Sequence, residues 1–86
     1  MISRTTRSFR DAYRDLPDPV RRQARHAFRL FTDNPRHTSL SFKQMDARRE
    51  IYSARVGLGY RVLGVLNGST IHWYWIGPHS DYDHMV

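Results

Sequence analysis

The segment Ile51–Ile76 decides the fold, and it reads IYSARVGLGYRVLGVLNGSTIHWYWI. Two glycine-containing turns divide it into three runs with strand character. Asn67–Gly68 favours a two-residue hairpin loop, because a type I′ turn needs positive φ at both central positions. Gly57–Gly59 provides a second turn, since glycine adopts positive φ without a steric penalty. We therefore predict three antiparallel strands joined by two hairpins.

The two loops also predict which residues face each other across the strands. A loop at Asn67–Gly68 pairs Leu66 with Ser69, and by counting back it pairs Arg61 with Tyr74. A three-residue loop at Gly57–Gly59 pairs Arg55 with Arg61. Two arginines on facing strands repel each other, so the register itself suggests an anionic ligand between them.

Alternation along the strands divides the predicted sheet into an apolar and a mixed face. We expect the apolar face, with Trp73 and Trp75, to pack on helices. The mixed face collects Arg55, Arg61 and nearby polar side chains at one end. A β-bulge in either hairpin would exchange the faces beyond it. The predicted apolar face consists of Tyr52, Ala54, Val56, Tyr60, Val62, Gly64, Ile71, Trp73 and Trp75, and the mixed face of Ile51, Ser53, Arg55, Arg61, Leu63, Val65, Thr70, His72, Tyr74 and Ile76.

Two helices are predicted before this segment. Thr5 or Thr6 can cap the first helix, and an apolar stripe at helical spacing carries it to about Asp15. Asp18 can cap the second helix, which starts with a proline and continues to about Asp33.

Shorter elements complete the predicted domain. Residues 2–5 are expected to form an edge strand, and Leu40–Lys43 alternates like another strand, with Leu40 and Phe42 facing the core. After Ile76 the chain continues as a short polar tail. The predicted order is (β)-α-α-β-β-β, a single α+β domain over residues 1–86 with both helices on one face of an antiparallel sheet.

Charge points to a polyanionic partner. Fourteen Lys and Arg against eight Asp and Glu give a net charge of +6, and thirteen of the fourteen are Arg. The guanidinium fork suits phosphate. One side of the second helix carries Arg22, Arg25 and Arg29, which form either a solvated face or a docking surface for a phosphate backbone.

Composition also excludes several classes of protein. The chain has no cysteine, which excludes disulfides and thiolate zinc sites, and its histidines do not show a metal-ligand spacing. No apolar run approaches the roughly 20 residues of a membrane span. We expect a cytoplasmic protein without metal or cofactor.

Three segments together resemble the RelE/ParE toxin family of bacterial toxin–antitoxin systems. They are LPDPVRRQARHAFRLFTDNPRHTSLSFK, then IYSARVGLGYRVLGV, then IHWYWIGPHSDYD. The likeness spans roughly residues 6–83 and favours the RelE-like branch. It implies ribosome-dependent cleavage of mRNA without a metal, in which the 2′-hydroxyl attacks the adjacent phosphate. It also implies silencing by an antitoxin, which for this basic chain should be a small acidic protein, and a free toxin that is monomeric.

The resemblance also implies site residues. By position these are Arg61 in the motif GYR, Arg55 on the preceding strand, and His79 and Tyr82 in the tail. Where RelE-like members can carry two lysines on the middle strand, this chain has Ser53 and Arg55, and where some carry a tail arginine it has His79. Because arginine is a poor general base, we expect His79 to transfer a proton while the arginines stabilise the phosphate.

Other readings of the same residues remain open. Arg55 and Arg61 can be surface charges neutralised by Glu50 or Asp81, and Tyr82 can simply pack on the sheet. Lys43 lies on the mixed face and is a further candidate for substrate binding. The activity can also be ParE-like gyrase inhibition, which does not need a titratable tail residue, or that of a non-catalytic homologue that binds only RNA or an antitoxin. His72 and Tyr74 are expected to serve packing.

Overall fold

The chain folds into a five-stranded sheet with two helices on one face and a C-terminal helix on the other. This computed structural model describes the backbone of residues 1–85 and the side chains of residues 1–82. No helix within these residues has the length and apolar character needed to cross a bilayer. The elements are β1 Ile2–Thr5, α1 Arg7–Arg14, α2 Asp18–Asp33, a 3₁₀ helix Thr38–Leu40, β2 Lys43–Asp46, β3 Ile51–Val56, β4 Tyr60–Asn67, β5 Thr70–Pro78 and α3 His79–Met85.

The predicted α+β class is confirmed, but the sheet is mixed rather than antiparallel. The strand order is β1-β5-β4-β3-β2, and β1 runs parallel to β5. The α1–α2 segment connects β1 to the rest of the sheet, so β1 can lie parallel to the last strand. The helix ends follow the local signals: the Thr6 hydroxyl accepts from the Phe9 amide at 3.2 Å, and α2 ends at Asp33. The prediction that Asp18 caps α2 was wrong: Pro17 occupies the cap position without a side-chain hydrogen bond, and Asp18 begins the first turn.

The β4–β5 turn lies one residue further along than predicted. Asn67 pairs with Thr70, so the loop residues are Gly68 and Ser69. Only Gly68 has positive φ there, at 62°. A type II′ turn needs glycine only at its first central position, whereas the predicted type I′ turn needs positive φ at both central residues. One glycine therefore suffices here.

A β-bulge then changes the register of this hairpin. Gly64 pairs with Trp73, but the next residue, Leu63, pairs with Trp75, which leaves Tyr74 as the extra residue. Beyond the bulge the faces exchange, as a one-residue slip requires. The prediction that Trp75 faces the helices and Ile76 the other side was therefore wrong: Ile76 is in the core.

The displaced turn and the bulge together change the cross-strand partner of Arg61. Arg61 pairs with Gly77 rather than with Tyr74. The β3–β4 hairpin, in contrast, has the predicted register: Val56 pairs with Tyr60 and Arg55 with Arg61. Gly57 in its loop has a φ of 59°, the conformation for which glycine is favoured.

The predicted strand Leu40–Lys43 was misplaced. Thr38–Leu40 is a 3₁₀ helix, and the strand is Lys43–Asp46, paired with β3. Leu40 and Phe42 nevertheless face the core as predicted, because burial of those two apolar side chains does not require a strand. The predicted polar tail forms α3, which starts directly after β5.

The main core lies between α1, α2 and the sheet. Its centre is aromatic: the Phe31 ring meets the Trp73 ring edge-on at 5.3 Å and the Phe42 ring at 5.0 Å. The Trp73 indole N–H donates to the Ser3 hydroxyl at 2.7 Å, which attaches β1 to the core. The buried members are Ala24, Phe31, Leu40, Ala54, Val56, Val62, Ile71, Trp73 and Ile76.

Candidate functional site

A buried arginine lies on the sheet face opposite the two long helices. Arg61 is only 4% exposed. Its Nη2 donates to the Ser53 hydroxyl at 2.8 Å and to the Ser41 carbonyl at 3.4 Å. Its buried Nε has no hydrogen-bond partner among the described atoms, and no carboxylate of residues 1–82 forms an ion pair with it. A buried cation held only by neutral groups is costly.

The C-terminal helix covers this arginine. The guanidinium carbon of Arg61 lies 4.9 Å from the centroid of the Tyr82 ring. The Tyr82 hydroxyl approaches the Met45 sulfur at 2.9 Å and the Ser53 hydroxyl at 3.5 Å. Tyr82 is itself buried, so α3 closes over the end of the sheet where Arg61 lies. The predicted proximity of Arg61 and Tyr82 follows from the antiparallel course of β4 and β5.

An unusual backbone conformation supplies one of the acceptors. Ser41 follows the 3₁₀ helix with φ 44° and ψ 47°, in the left-handed region. Such a conformation is uncommon for a residue other than glycine. Its carbonyl accepts the hydrogen bond from Arg61. Ser41, which was predicted to lie within a strand, therefore contributes its backbone to the site.

Two further predicted residues lie next to the Arg61–Tyr82 pair. The His79 ring is 5.6 Å from the Tyr82 ring, and its backbone amide donates to the Gly59 carbonyl at 2.8 Å. The His79 side chain is exposed. Lys43 is also exposed, and it is the cross-strand partner of Ser53. The structure thus brings Arg61, Tyr82 and His79 together, with Lys43 on the neighbouring strand.

Arg55 is the register partner of Arg61, so its side chain leaves the sheet on the same face as that of Arg61. Arg55 is exposed, and it is one of the residues that border a groove of about 640 Å³ between α2 and the β3–β4 loop, together with Arg22 and His26. We refer to it as the α2–β3 groove.

The three predicted arginines of α2 are all exposed, but they do not border the same groove. Arg22 lines the α2–β3 groove, whereas Arg25 lines a different, apolar groove between α1 and α2 and donates to the Tyr13 hydroxyl at 2.8 Å. Arg29 is exposed and lines neither groove.

Several residues of the site were not predicted as functional. Ser53 is fully buried, and its hydroxyl accepts hydrogen bonds from the side chains of Arg61 and Tyr82. The sequence analysis noted Ser53 only as a departure from the lysine that RelE-like members can carry on this strand. Only the tertiary structure shows which side chains bind its hydroxyl. Trp75 faces the same side as Arg61 because of the bulge, and its ring lies over Gly77 so closely that a Cβ there would meet it at 2.5 Å.

One carboxyl group and one phenol hydroxyl among the described residues have shifted pKa values. The Arg49 side chain, which donates to Asp46 at 2.7 Å, lowers the pKa of that carboxyl, and the Arg48 and Arg49 amides assist. Burial raises the pKa of the Tyr74 hydroxyl, and the nearby charge of Arg49 partly opposes this. Tyr74 and His72 are half-buried, consistent with the packing roles expected for them.

Metal binding was not expected from the sequence. Within residues 1–82, whose side chains are described, no three His, Asp or Glu side chains come together as metal ligands.

Comparison with known proteins agrees with this architecture. The family described as the ParE-like toxin domain matches residues 18–84. A comparison with proteins of curated function gives no match.

Solved toxin structures share the fold. The RelB–RelE antitoxin–toxin complex of Methanococcus jannaschii matches at 20% identity over 96% of this chain and 99% of that chain, with a TM-score of 0.74. The RelBE2 complex of Mycobacterium tuberculosis gives 21% identity, 90% and 95% coverage and a TM-score of 0.70. The isolated RelE toxin of E. coli gives 13% identity, 99% and 98% coverage and a TM-score of 0.67. At such identities the likeness establishes the fold.

Proposed function

Because the chain belongs to the family of ParE-like toxin domains, we propose that it is the toxin of a toxin–antitoxin system and that it cleaves RNA. The observation that carries this proposal is the buried Arg61, which lacks a carboxylate partner and lies beside Tyr82 and His79. Such a cation next to a proton-carrying imidazole suits a phosphodiester.

The reaction that fits these groups is transesterification. The 2′-hydroxyl oxygen attacks the adjacent phosphorus, the bond from phosphorus to the 5′-oxygen breaks, and the products end in a 2′,3′-cyclic phosphate and a 5′-hydroxyl. One proton leaves the 2′-hydroxyl and one reaches the 5′-oxygen. Arg61 and Lys43 stabilise the charge on the phosphorane, and His79 carries one of the two protons.

Access to Arg61 requires movement of Tyr82. With Arg61 4% exposed, a phosphate can reach the guanidinium only if the Tyr82 ring moves aside. The ring then becomes free to stack on a base or to orient the phosphate. A phosphate oxygen would replace the ring and also supply the acceptor that Nε lacks in the closed form.

The substrate that we propose is mRNA on the ribosome, as the resemblance to RelE-like toxins implies. The test is a reconstituted translation system with and without ribosomes, in which the cleaved ends are analysed. We expect cleavage only with ribosomes, unaffected by a chelator, with cyclic-phosphate and 5′-hydroxyl ends. Products that carry 5′-phosphate ends, or activity that needs a divalent metal beyond what the ribosome requires, would contradict the mechanism.

The position of the Tyr82 ring over the buried Arg61 favours a second candidate function. A chain whose Tyr82 stays over Arg61 cannot hold a phosphate there, and such a protein acts by binding alone, as a ParE-like gyrase inhibitor does. Pulse labelling after induction in growing bacteria separates the two. Loss of protein synthesis with cut mRNA supports the nuclease, whereas loss of DNA synthesis with intact mRNA supports the inhibitor.

We further propose an acidic antitoxin as the partner. The groove between α1 and α2, of about 560 Å³, has an apolar floor with Phe28 and Phe31 and arginines at its rim. This combination suits an amphipathic, acidic segment that orders on binding. Purification together with the protein of a neighbouring gene should yield a stable complex, and repeated recovery of free monomer would contradict it.

A further inference from the structure

Trp75 lies on the sheet face of Arg61 and next to its strand position. The bulge in β5 puts Trp75 opposite Leu63, and two residues further along the strand Gly77 is the cross-strand partner of Arg61. A Cβ at Gly77 would meet the Trp75 ring at 2.5 Å, so the ring extends over the backbone beside Arg61. The site proposed for the scissile phosphate therefore has an indole ring at its border.

The Trp75 ring lies flat on this backbone. The Cβ position of Gly77 is 2.5, 3.0 and 3.1 Å from three bonded atoms of the ring, Cζ2, Cη2 and Cε2. A point at the ring edge would be clearly farther from the two neighbours of its nearest atom, so the Cβ position faces the plane of the ring. One face of the indole is thus packed on Gly77, and the other face is turned away from the sheet.

The outer face of the Trp75 indole has no aromatic cover within residues 1–82. None of the ring pairs among these residues includes Trp75, and Trp75 is only half-buried. The other tryptophan, Trp73, is buried in the core, where its ring meets Phe31 edge-on and its indole N–H donates to Ser3. The two tryptophans therefore have different surroundings, and only that of Trp75 leaves a flat π surface open to a ligand.

A flat ring next to an arginine suits a nucleotide. Aromatic side chains stack on unpaired bases of any sequence because every base has a π face, and arginine binds the phosphate. An acidic peptide would match the charge of Arg61, but its carboxylates would give the Trp75 ring nothing to stack on. The combination of the two side chains therefore favours RNA over an acidic protein segment at this position.

We propose that the outer face of Trp75 is a nucleobase subsite, on which the base of a nucleotide near the cleaved bond stacks. This inference rests on the proposed nuclease function. Trp75 and Gly77 are two residues apart along β5, which is about 7 Å of strand. A nucleotide stacked on Trp75 can therefore belong to the same strand segment as a phosphate at Arg61. Trp75 then binds the substrate and takes no part in bond breaking.

Binding of the toxin to ribosomes programmed with a short mRNA tests this subsite. The mRNA carries a 2′-deoxy residue at the cleavage point, so binding is measured without cleavage. The variant is Trp75→Leu, and Tyr52→Leu is the matched control, because Tyr52 is also a half-buried aromatic residue of the sheet but packs against the main core. We expect the Kd to rise about tenfold for Trp75→Leu, in the range for loss of one base–aromatic stack. The Kd of Tyr52→Leu should equal that of the wild type.

An abasic site in the mRNA identifies the ligand of the Trp75 ring. It is placed at each nucleotide around the cleavage point in turn. At one position, loss of the base should weaken binding of the wild type about tenfold and have little further effect on Trp75→Leu, because the stack is already lost. If Trp75→Leu does not fold, Trp75→Phe replaces it, and the abasic site should then weaken binding less than in the wild type.

Three results would overturn the proposal. The first is wild-type affinity in Trp75→Leu, and the second is an equal loss in Tyr52→Leu, which would trace the effect to stability. The third is an abasic effect that is as large in the Trp75 variant as in the wild type at every position, because the indole then contacts no base.

Failure of this inference differs from failure of the function on which it rests. If the wild type binds programmed ribosomes but cuts no RNA, the nuclease function fails, whereas the subsite is still tested by binding. If the wild type does not bind programmed ribosomes, both are wrong. If Trp75→Leu weakens antitoxin binding and leaves RNA binding unchanged, the ring contacts a protein and the subsite proposal alone is wrong.

Discussion

The Arg61 guanidinium carbon lies 4.9 Å from the centre of the Tyr82 ring, in a site where no carboxylate of residues 1–82 pairs with the arginine. A desolvated cation–π contact stabilises by about 2 kcal/mol, so the ring partly replaces the water that Arg61 has lost. The pair therefore links the stability of α3 to the charge of Arg61.

Tyr82 variants test this link. We expect Tyr82→Leu to lower the free energy of unfolding by about 2–4 kcal/mol, since it removes a buried ring and the cation–π contact. Tyr82→Phe keeps the ring and should cost about 1 kcal/mol for the lost hydroxyl contacts. Urea unfolding measures both, and the cost of Tyr82→Leu should be smaller in an Arg61→Met background. Equal costs in the two backgrounds would show that Tyr82 packs without regard to the charge.

Arg61→Met separates stability from activity. A buried charge without an ionic partner is replaced by an apolar side chain of similar length, so unfolding free energy should be unchanged or higher. RNA cleavage should fall by about 10²–10³-fold, the usual effect of losing a group that stabilises developing charge. A stable Arg61→Met protein that still cuts RNA at the normal rate would remove Arg61 from the chemistry.

His79 is the predicted proton carrier. Because its side chain is exposed, His79→Ala should leave the fold unchanged, while cleavage falls by about 10²–10⁴-fold. Ser80→Ala, at the adjacent exposed position of α3, is the matched control and should retain activity. Antitoxin binding should persist in both variants. Full cleavage by His79→Ala would transfer the role to Glu50 or Lys43.

The bulge makes a specific prediction about Gly77. A Cβ at Gly77 would meet the Trp75 ring at 2.5 Å, so Gly77→Ala should lower the unfolding free energy by about 1–3 kcal/mol through overpacking. Adding Trp75→Leu should recover part of that loss, because it removes the ring in question. Gly59→Ala is the control, since nothing lies within 4 Å of its Cβ position. Additive costs for Gly77→Ala and Trp75→Leu would contradict the bulged register.

Asp46 provides a prediction about pH. Its pKa lies below the ordinary 3.8, chiefly because the Arg49 side chain donates to it. NMR titration should show the pKa rising in Arg49→Gln, although the Arg48 and Arg49 amides still donate. Since the folded pKa is the lower one, its contribution to stability is present above pH 3.8 and is lost as pH falls through the folded pKa. The stability difference between wild type and Arg49→Gln should therefore shrink at acidic pH; a constant difference would assign it to another cause.

Local signals predicted α1, the end of α2 and one hairpin correctly. Thr6 caps α1 with its own hydroxyl, and α2 ends before Asn34–Pro35, because capping and proline effects act within a few residues. The β3–β4 hairpin has the predicted register for the same reason, since its length and glycines determine the turn. The facing arginines, which first indicated an anion site, follow from that register.

Only the tertiary structure determined which way Trp75 and Ile76 point. Both are apolar, so alternation along β5 is satisfied in either register, and a bulge of one residue leaves no mark on the sequence pattern. Packing resolves it: Ile76 fills the core, while Trp75 covers Gly77 on the opposite face.

The candidate site shows the same division between sequence and structure. The sequence by itself determined the basic composition, the Arg55–Arg61 pair and the residues His79 and Tyr82. Tertiary packing decided that Arg61 is buried under Tyr82, whereas its cross-strand partner Arg55 is exposed. The physical reason is that a long arginine side chain takes its surroundings from residues distant in the chain, which are Ser41 and Tyr82 for Arg61.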